Sequence, residues 1–322
     1  MISANDLRGV LAIMPTPAKA GAERLDATDT VDLDETARLA ESLVRDGATG
    51  IMALGTMGEC ATASQSDYEA FVDCLLKTVR GRIPTFVGTT ALSGHEIARR
   101  IEFVKGLGAT GTLLGIPMWQ PATLDMAVKF YADVAQTFPD FPIMVYANAR
   151  AFRFPFDVDF WGTVVAKAPT VMSAKFSSKA ILKKALDATQ GRVNFVPPVG
   201  LAHEFAQISP ASQTTCWLPS VGPQVGLALM KALAAGDAQQ AKAVADDIAW
   251  ANEPHHAITG SQEVFASYNI QMEKILMSAS GYCKTGPIRP PYDVMPEDFR
   301  KAATEGGRRY AKLREKYSKV LG

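Results

Sequence analysis

The feature that most constrains the fold is a set of short, almost uninterrupted apolar runs in the first two thirds of the chain. A strand that is buried on one face alternates apolar and polar residues. These runs do not alternate, so each predicts a strand buried on both faces, as in a parallel sheet. Eight runs fit this description, at residues 9–17, 50–56, 85–90, 111–117, 142–148, 171–177, 194–200 and 214–220.

Most of the intervals between these runs have the apolar periodicity of a helix. In residues 32–48, for example, Leu33, Ala37, Ala40 and Val44 recur at spacings of three and four, which places them on one helix face. Strand and helix therefore alternate about eight times. This alternation predicts an α/β protein, a (β/α)₈ TIM barrel, in which the helices surround the parallel sheet.

No convincing strand follows residue 221. Helical patterns fill most of the remaining sequence, interrupted by the Pro-rich connector "TGPIRPPYDVMPED". We therefore expect a barrel catalytic domain over residues 1–235 and a C-terminal helical extension, packed on the barrel, over residues 236–322.

Charge and hydropathy exclude several classes of protein. The 322 residues include 33 basic and 33 acidic side chains, and this balance argues against nucleic acid or an anionic membrane as the main partner. No apolar stretch approaches the roughly 18 residues that span a bilayer, and the N-terminus lacks the pattern of a secretory signal. We expect a cytoplasmic protein with no membrane partner.

The cysteine and histidine residues give no pattern of a metal site. Cys60, Cys74, Cys216 and Cys283 are far apart and show no CxxC spacing, and no HExxH motif is present. Reduced thiols and the absence of a bound metal are the expectation for a cytoplasmic chain.

Lys175 closes the sixth apolar run, "VMSAKFS", where a charged side chain is costly to bury. In a TIM barrel the carboxyl ends of all eight strands meet at one mouth, where catalytic groups lie. Lys175 is either a lysine that extends its amine to water or a nucleophile that forms a Schiff base with a ketone. In the second case we expect desolvation to lower its pKa. Lys179, beyond the strand, is the weaker candidate.

Two further strand ends supply partners for such a lysine. Tyr146 ends the fifth run, and its phenol can carry protons between substrate and water. The turn "GTMGE" follows the second run. Its backbone N–H groups near Gly55 and the hydroxyl of Thr56 can bind a carboxylate, whereas Glu59 is expected to be a structural anchor. Each feature alone also fits ordinary packing or turn formation.

The motifs "GTMGE", "YAN" and "AK", in this order at the ends of strands two, five and six, resemble the dihydrodipicolinate synthase and N-acetylneuraminate lyase family of class I pyruvate aldolases. The resemblance covers essentially the whole chain. It implies that Lys175 forms the Schiff base, that Tyr146 transfers protons and that Gly55 and Thr56 hold the pyruvate carboxylate. It implies no metal or organic cofactor, and it implies a homotetramer.

Several departures from the common family pattern narrow the expected substrate. Met57 replaces the second threonine of the usual GTTGE turn, "YANAR" places Asn148 two residues after Tyr146, and "PMWQP" with Trp119 replaces a proline-tyrosine-tyrosine stretch. These departures look like the hydratase-aldolases that act on ortho-substituted benzylidenepyruvates. We expect Met57, Asn148 and Trp119 to contact the substrate. The likeness adds Trp217 and Asn269 to the site, and the two tryptophans suit a flat aryl substrate.

The group on the aromatic ring stays open at this stage, as either a carboxylate or a hydroxyl. Arg150, just after the fifth strand, and His203, after the seventh, are the candidates to bind a carboxylate, and the nearness of Arg150 to Tyr146 favours a carboxylate slightly. The alternatives are a dihydrodipicolinate synthase or sugar-acid lyase of the same family, and a non-catalytic ligand-binding member. We expect a small aryl pyruvate as the substrate.

Overall fold

The computed structural model describes residues 2–209, 213–217 and 220–321. Each of the eight apolar runs contains a strand, so the predicted strands are confirmed, in shorter form. Within the described residues the strands are β1 (Gly9–Met14), β2 (Gly50–Ala53), β3 (Thr85–Gly88), β4 (Gly111–Leu114), β5 (Ile143–Tyr146), β6 (Val171–Lys175), β7 (Asn194–Val196) and β8 (Thr214–Trp217).

The eight strands form one parallel sheet in the order β7-β6-β5-β4-β3-β2-β1-β8. The sheet curves until its two edges meet beyond the end of β7. There the Cys216 N–H donates to the Pro197 carbonyl at 2.8 Å, and Pro198 and Cys216 form an isolated parallel bridge. The predicted TIM barrel is confirmed, and all eight strand ends share one mouth.

Helices alternate with the strands and surround the barrel. Asp32, Ser64, Thr123 and Asp157 each accept a hydrogen bond from a backbone N–H in the first turn of a helix, which fixes where that helix begins. These helices in the described residues are α1 (Leu33–Arg45), α2 (Gln65–Val79), α3 (Gly94–Gly106), α4 (Leu124–Thr137), α5 (Ala149–Phe152), α6 (Val158–Lys167), α7 (Leu182–Thr189), α8 (Val199–Ile208) and α9 (Gln224–Ala234).

Three long helices follow, α10 (Ala238–Thr259), α11 (Gln262–Ala279) and α12 (Glu297–Leu321). Their apolar side chains form a second core together with α9 and the outer side of the barrel, where Val10 of β1 and Val199 of α8 contribute. The extension is thus packed on the barrel, and α11 reaches the mouth, as the contacts of its side chains show below.

Two features are absent from the described residues. None of the described helices combines the length and apolar character needed to cross a bilayer. Histidine, cysteine, aspartate and glutamate side chains nowhere in the described part of the chain form a group of three or more suited to a metal ion.

Candidate active site

The turn after β2 has the backbone shape expected of a carboxylate-binding loop. Leu54 and Glu59, at either end of it, have positive φ angles of 55° and 57°, a conformation that is uncommon for non-glycine residues and occurs elsewhere in this chain at helix ends such as Arg80 and Gln190. The backbone N–H groups of Thr56 and Met57 donate to no acceptor among the described residues. They are therefore available to an anionic ligand.

Gly58 allows this turn to close. A Cβ at this position would lie 2.8 Å from the Leu54 nitrogen and 2.9 Å from its Cα, so a larger residue would force the backbone apart. The Gly58 carbonyl accepts a hydrogen bond of 2.8 Å from the buried Thr16 hydroxyl. Met57 is itself buried and packs in the core of the barrel.

Tyr146 links this turn to the lysine. Its hydroxyl lies 2.8 Å from the Thr56 Oγ1, and Asn148 Nδ2 donates to the same hydroxyl at 3.5 Å. Tyr146 and Lys175 are paired in the register of β5 and β6, and Lys175 Nζ lies 4.7 Å from the centre of the tyrosine ring. The three residues predicted from separate strand ends therefore form one constellation.

The protonation of Lys175 corrects one expectation. Burial is the largest influence and lowers the pKa of Lys175, but the negative charges that Tyr146, Cys216 and Glu273 carry when they are ionised outweigh it and raise that pKa. The prediction of a lowered pKa is wrong, because it considered desolvation alone. The resting lysine is an ammonium and must lose a proton before it can attack a ketone.

Glu273, on α11, is the residue of the site that sequence reasoning missed. Its side chain is 5% exposed, and burial raises its pKa to about 7, although Lys175 and Arg150 partly offset this. Burial also raises the pKa of the Cys216 thiol, to about 11, so Cys216 is neutral near pH 7. Tyr146, Lys175, Cys216 and Glu273 are called the mouth cluster below.

The face of α11 that carries Glu273 extends along the mouth. Asn269 lies one turn before Glu273, and Phe265 lies one turn before Asn269. The Arg150 guanidinium carbon is 5.7 Å from the centre of the Phe265 ring, so this face lies over the loop after β5. The Asn269 Oδ1 is buried and has no hydrogen-bond partner among the described residues. The spacing of Asn269 and Glu273 by four residues was the available sequence signal.

The structure places Asn148, Trp119 and His203 in three different surroundings. Asn148 caps α5 through a hydrogen bond from the Ala151 N–H. The Trp119 side chain, in the loop after β4, is 81% exposed. His203 lies on α8, where its Nε2 is 3.2 Å from Gln207 Nε2, and its buried Nδ1 has no partner among the described residues. The roles of Trp119 and His203 stay predictions.

Lys179 and Trp217 are the last two residues that the sequence offers for the site. Lys179 lies outside the mouth cluster, is about half exposed and pairs with Glu204, which agrees with its place as the weaker candidate. Trp217 ends β8, but its side chain lies outside the described residues, so its predicted contact with the substrate stays a prediction.

Glu59 joins the turn to the extension, as expected of a structural anchor. Its Oε2 accepts hydrogen bonds from Lys274 Nζ at 2.7 Å and Arg289 Nη1 at 2.5 Å, and its Oε1 accepts one from the Arg289 N–H at 2.8 Å. All three side chains are almost fully buried. Glu59, Lys274 and Arg289 are called the anchor cluster below.

Comparisons with known proteins agree on one family. The sequence model of the "Dihydrodipicolinate synthetase family" matches residues 7–201. The trans-O-hydroxybenzylidenepyruvate hydratase-aldolase of Pseudomonas putida is 39% identical over 99% of this chain and 97% of its own length. The trans-2'-carboxybenzalpyruvate hydratase-aldolase of Nocardioides sp. (strain KP7) is 35% identical over 99% of this chain and 98% of its own length. The solved structure "PhdJ bound to substrate intermediate" is similar at a TM-score of 0.94 and 33% identity, covering 98% of this chain and 99% of that one.

Proposed function

Because the chain belongs to the dihydrodipicolinate synthetase family, we propose that it is a hydratase-aldolase, a carbon–carbon lyase that cleaves a benzylidenepyruvate to an aromatic aldehyde and pyruvate. The observation that carries the proposal is the constellation of Lys175, Tyr146 and Thr56 at the barrel mouth. The names of the relatives that share nearly the whole chain supply the substrate class and favour a place in aromatic hydrocarbon degradation.

The reaction begins with a Schiff base. Thr56 and the free N–H groups of its turn hold the substrate carboxylate, and Lys175, once deprotonated, attacks the ketone. The iminium that forms is conjugated with the carbon–carbon double bond, so the benzylic carbon becomes electrophilic. Water adds there and gives a β-hydroxy iminium. No metal or organic cofactor is needed, because the iminium accepts the electrons.

Cleavage follows from the same iminium. Tyr146 removes the proton of the new hydroxyl, the bond between the hydroxyl-bearing carbon and its neighbour breaks, and the aldehyde leaves. The electron pair of that bond moves toward the nitrogen and leaves an enamine on Lys175. Protonation of the enamine and hydrolysis release pyruvate. Asn148, which donates to the Tyr146 hydroxyl, holds the phenol in place.

A hydroxyl is the better candidate for the ortho group of the ring. The buried Asn269 Oδ1 is an acceptor without a donor, and a substrate hydroxyl can supply that donor. A substrate carboxylate is an acceptor only, and Glu273 on the same helix face would repel it. Arg150, the candidate partner of a carboxylate, lies beside the same helix face, where its charge already acts on Glu273. We therefore favour 2'-hydroxybenzylidenepyruvate over the 2'-carboxy substrate.

Trapping the Schiff base tests the chemistry. Pyruvate and borohydride should give a covalent adduct that is detected by mass spectrometry and maps to Lys175. Lys175→Ala should abolish the adduct, and the matched control Lys179→Ala should keep it. An adduct on Lys179, or none in the wild-type protein, would reject the assignment.

The substrate is tested by the loss of absorbance of the conjugated double bond. The 2'-hydroxy and 2'-carboxy substrates are compared at equal concentration, and we expect a higher kcat/KM for the 2'-hydroxy substrate. Equal turnover, or a preference for the 2'-carboxy substrate, would overturn the choice of ortho group while leaving the lyase reaction intact.

We also propose that the protein is a homotetramer and lies in the cytoplasm, because it resembles this family. Sedimentation velocity of the purified protein should give a mass close to four times 34.6 kDa. A monomer or dimer at micromolar concentration would reject the tetramer.

A further inference from the structure

The mechanism leaves one proton without an acceptor. Water that adds to the benzylic carbon must lose a proton, while Tyr146 serves the hydroxyl proton in cleavage and Lys175 is part of the iminium. A carboxylate close to the reacting carbons and free of other hydrogen bonds would suit this step.

Glu273 differs in this respect from the other buried carboxylates. Glu35, Asp67 and Glu59 are buried to a similar extent, and each accepts at least two hydrogen bonds from neighbouring side chains or backbone. Glu273 makes no hydrogen bond or ion pair within the described part of the chain. The Glu273 oxygens are not among the fully enclosed side-chain atoms that lack a partner in the described residues, so they keep some exposure and can be reached by water or a substrate.

The surroundings of Glu273 place it at the reaction site. Its charged and titratable neighbours come from three directions: Lys175 of β6, Arg150 after β5 and Cys216 of β8. Its pKa of about 7 allows the carboxyl group both to accept and to return a proton near neutral pH. Asn269, one turn away, carries the free acceptor assigned to the ring of the substrate.

We propose that Glu273 is the proton carrier of the hydration step, a role that rests on the function proposed above. The water oxygen forms its bond to the benzylic carbon as the π electrons move toward the iminium nitrogen, which leaves a neutral enamine. The proton of the water goes to the Glu273 carboxylate. The enamine then takes that proton at the carbon next to the imine carbon, which restores both the iminium and the carboxylate.

Two substrates separate hydration from cleavage. The benzylidenepyruvate requires both steps, whereas the corresponding 4-aryl-4-hydroxy-2-oxobutanoate is already hydrated and requires cleavage alone. In Glu273→Gln we expect turnover of the benzylidenepyruvate to fall by about 10²- to 10⁴-fold. Cleavage of the hydrated compound and the borohydride adduct on Lys175 should stay within about threefold of the wild type, since general acid–base loss is confined to one step.

Controls separate a role in proton transfer from a role in structure. Glu263→Gln, the same change on an exposed turn of α11, should leave both reactions unchanged, and Glu273→Asp should restore part of the hydration. The pH profile of wild-type hydration should show an inflection near pH 7 as Glu273 ionises, in addition to the rise that deprotonation of Lys175 causes, and Glu273→Gln should lose that inflection.

Three results would overturn the proposal. Hydration by Glu273→Gln within threefold of the wild type would show that the carboxylate is not needed. Equal losses of hydration, cleavage and borohydride adduct would show that Glu273 supports Lys175 or the fold instead. A wild-type protein that converts neither substrate would reject the proposed function, and the role of Glu273 with it.

Discussion

Consecutive residues of α11 enter two buried charge clusters that differ in one property. Lys274 enters the anchor cluster, where its amine contacts Glu59 and the Pro287 carbonyl, both at 2.7 Å. Glu273 enters the mouth cluster, where it makes no hydrogen bond within the described residues. In the anchor cluster, Arg289 Nη2 is the one side-chain atom without a partner in the described structure.

The difference separates two uses of buried charge. A buried ion pair whose hydrogen bonds are made holds its elements in one arrangement, and breaking it leaves an uncompensated charge. A buried charge whose hydrogen bonds are not made keeps them for a ligand or a reaction, at a cost in stability. The anchor cluster is therefore expected to determine stability and the mouth cluster to determine activity.

The largest expected effect is on the activity of the mouth cluster. Lys175→Met removes the nucleophile, so kcat/KM should fall by at least about 10⁴-fold, or about 5.5 kcal/mol in the barrier. The free energy of unfolding should change by no more than about 1 kcal/mol, because no ion pair is broken. Steady-state kinetics and urea denaturation measure the two quantities. A variant that unfolds before it loses activity would remove the contrast between the clusters.

The same substitution in the anchor cluster should act on stability. Lys274→Met keeps the Glu59–Arg289 pair but removes the hydrogen bonds that the Lys274 amine donates to Glu59 and to the Pro287 carbonyl, which should lower the free energy of unfolding by about 1–3 kcal/mol. The midpoint of urea unfolding measures it. The borohydride adduct on Lys175 should still form in the fraction that stays folded. Wild-type stability in this variant would mean that the anchor cluster does not hold the extension.

The pH dependence of stability should separate Glu59 from Glu273. The pKa of Glu273 is about 7 in the folded state, against 4.5 for an ordinary glutamate in the unfolded chain. Between pH 4.5 and pH 7 the folded protein therefore holds a proton on Glu273 that the unfolded chain has lost. Stability therefore falls as the pH rises through that window. The free energy of unfolding of Glu273→Gln, compared with that of the wild type at the same pH, should therefore rise by about 1–3 kcal/mol between pH 4.5 and pH 8.

Glu59→Gln is the matched comparison for this experiment. It should be less stable than the wild type at pH 8, because Lys274 and Arg289 lose their shared carboxylate. Chemical denaturation at several pH values measures both variants. Stability changes of the same sign at pH 8 would contradict the division between the clusters.

The smallest expected effect concerns two amides of α11. Asn269→Ala should raise the KM of the 2'-hydroxy substrate by about tenfold, the worth of one hydrogen bond, and leave the KM of the 2'-carboxy substrate unchanged. Gln271, whose amide already donates to the Val294 carbonyl at 3.1 Å, is the control. Gln271→Ala should change neither KM. Equal changes for the two substrates in Asn269→Ala would argue against an ortho hydroxyl at Asn269.

The barrel can be predicted from the sequence because each of its strands is marked by a pattern of neighbouring residues. Each strand is a continuous apolar run, and parallel strands bring their carboxyl ends to one mouth, so Thr56, Tyr146 and Lys175 could be placed together before any contact was known. Glu273 could not be placed in this way, because the face that a helix of the extension turns toward the barrel depends on packing between distant segments. The direction of the Lys175 pKa shift failed for the same reason, since it depends on several through-space charges.

Glu59 is synthesised long before the residue that binds its carboxylate. The backbone amide and guanidinium that bind its carboxylate belong to Arg289, 230 residues later in the chain. At 5–20 residues per second, the ribosome needs about 10 to 45 seconds to make that interval. During this time strands β3 to β8 are made, while the Glu59 carboxylate still lacks Arg289. We therefore expect a chain that stops before Arg289 to have the turn beside Thr56 without this anchor.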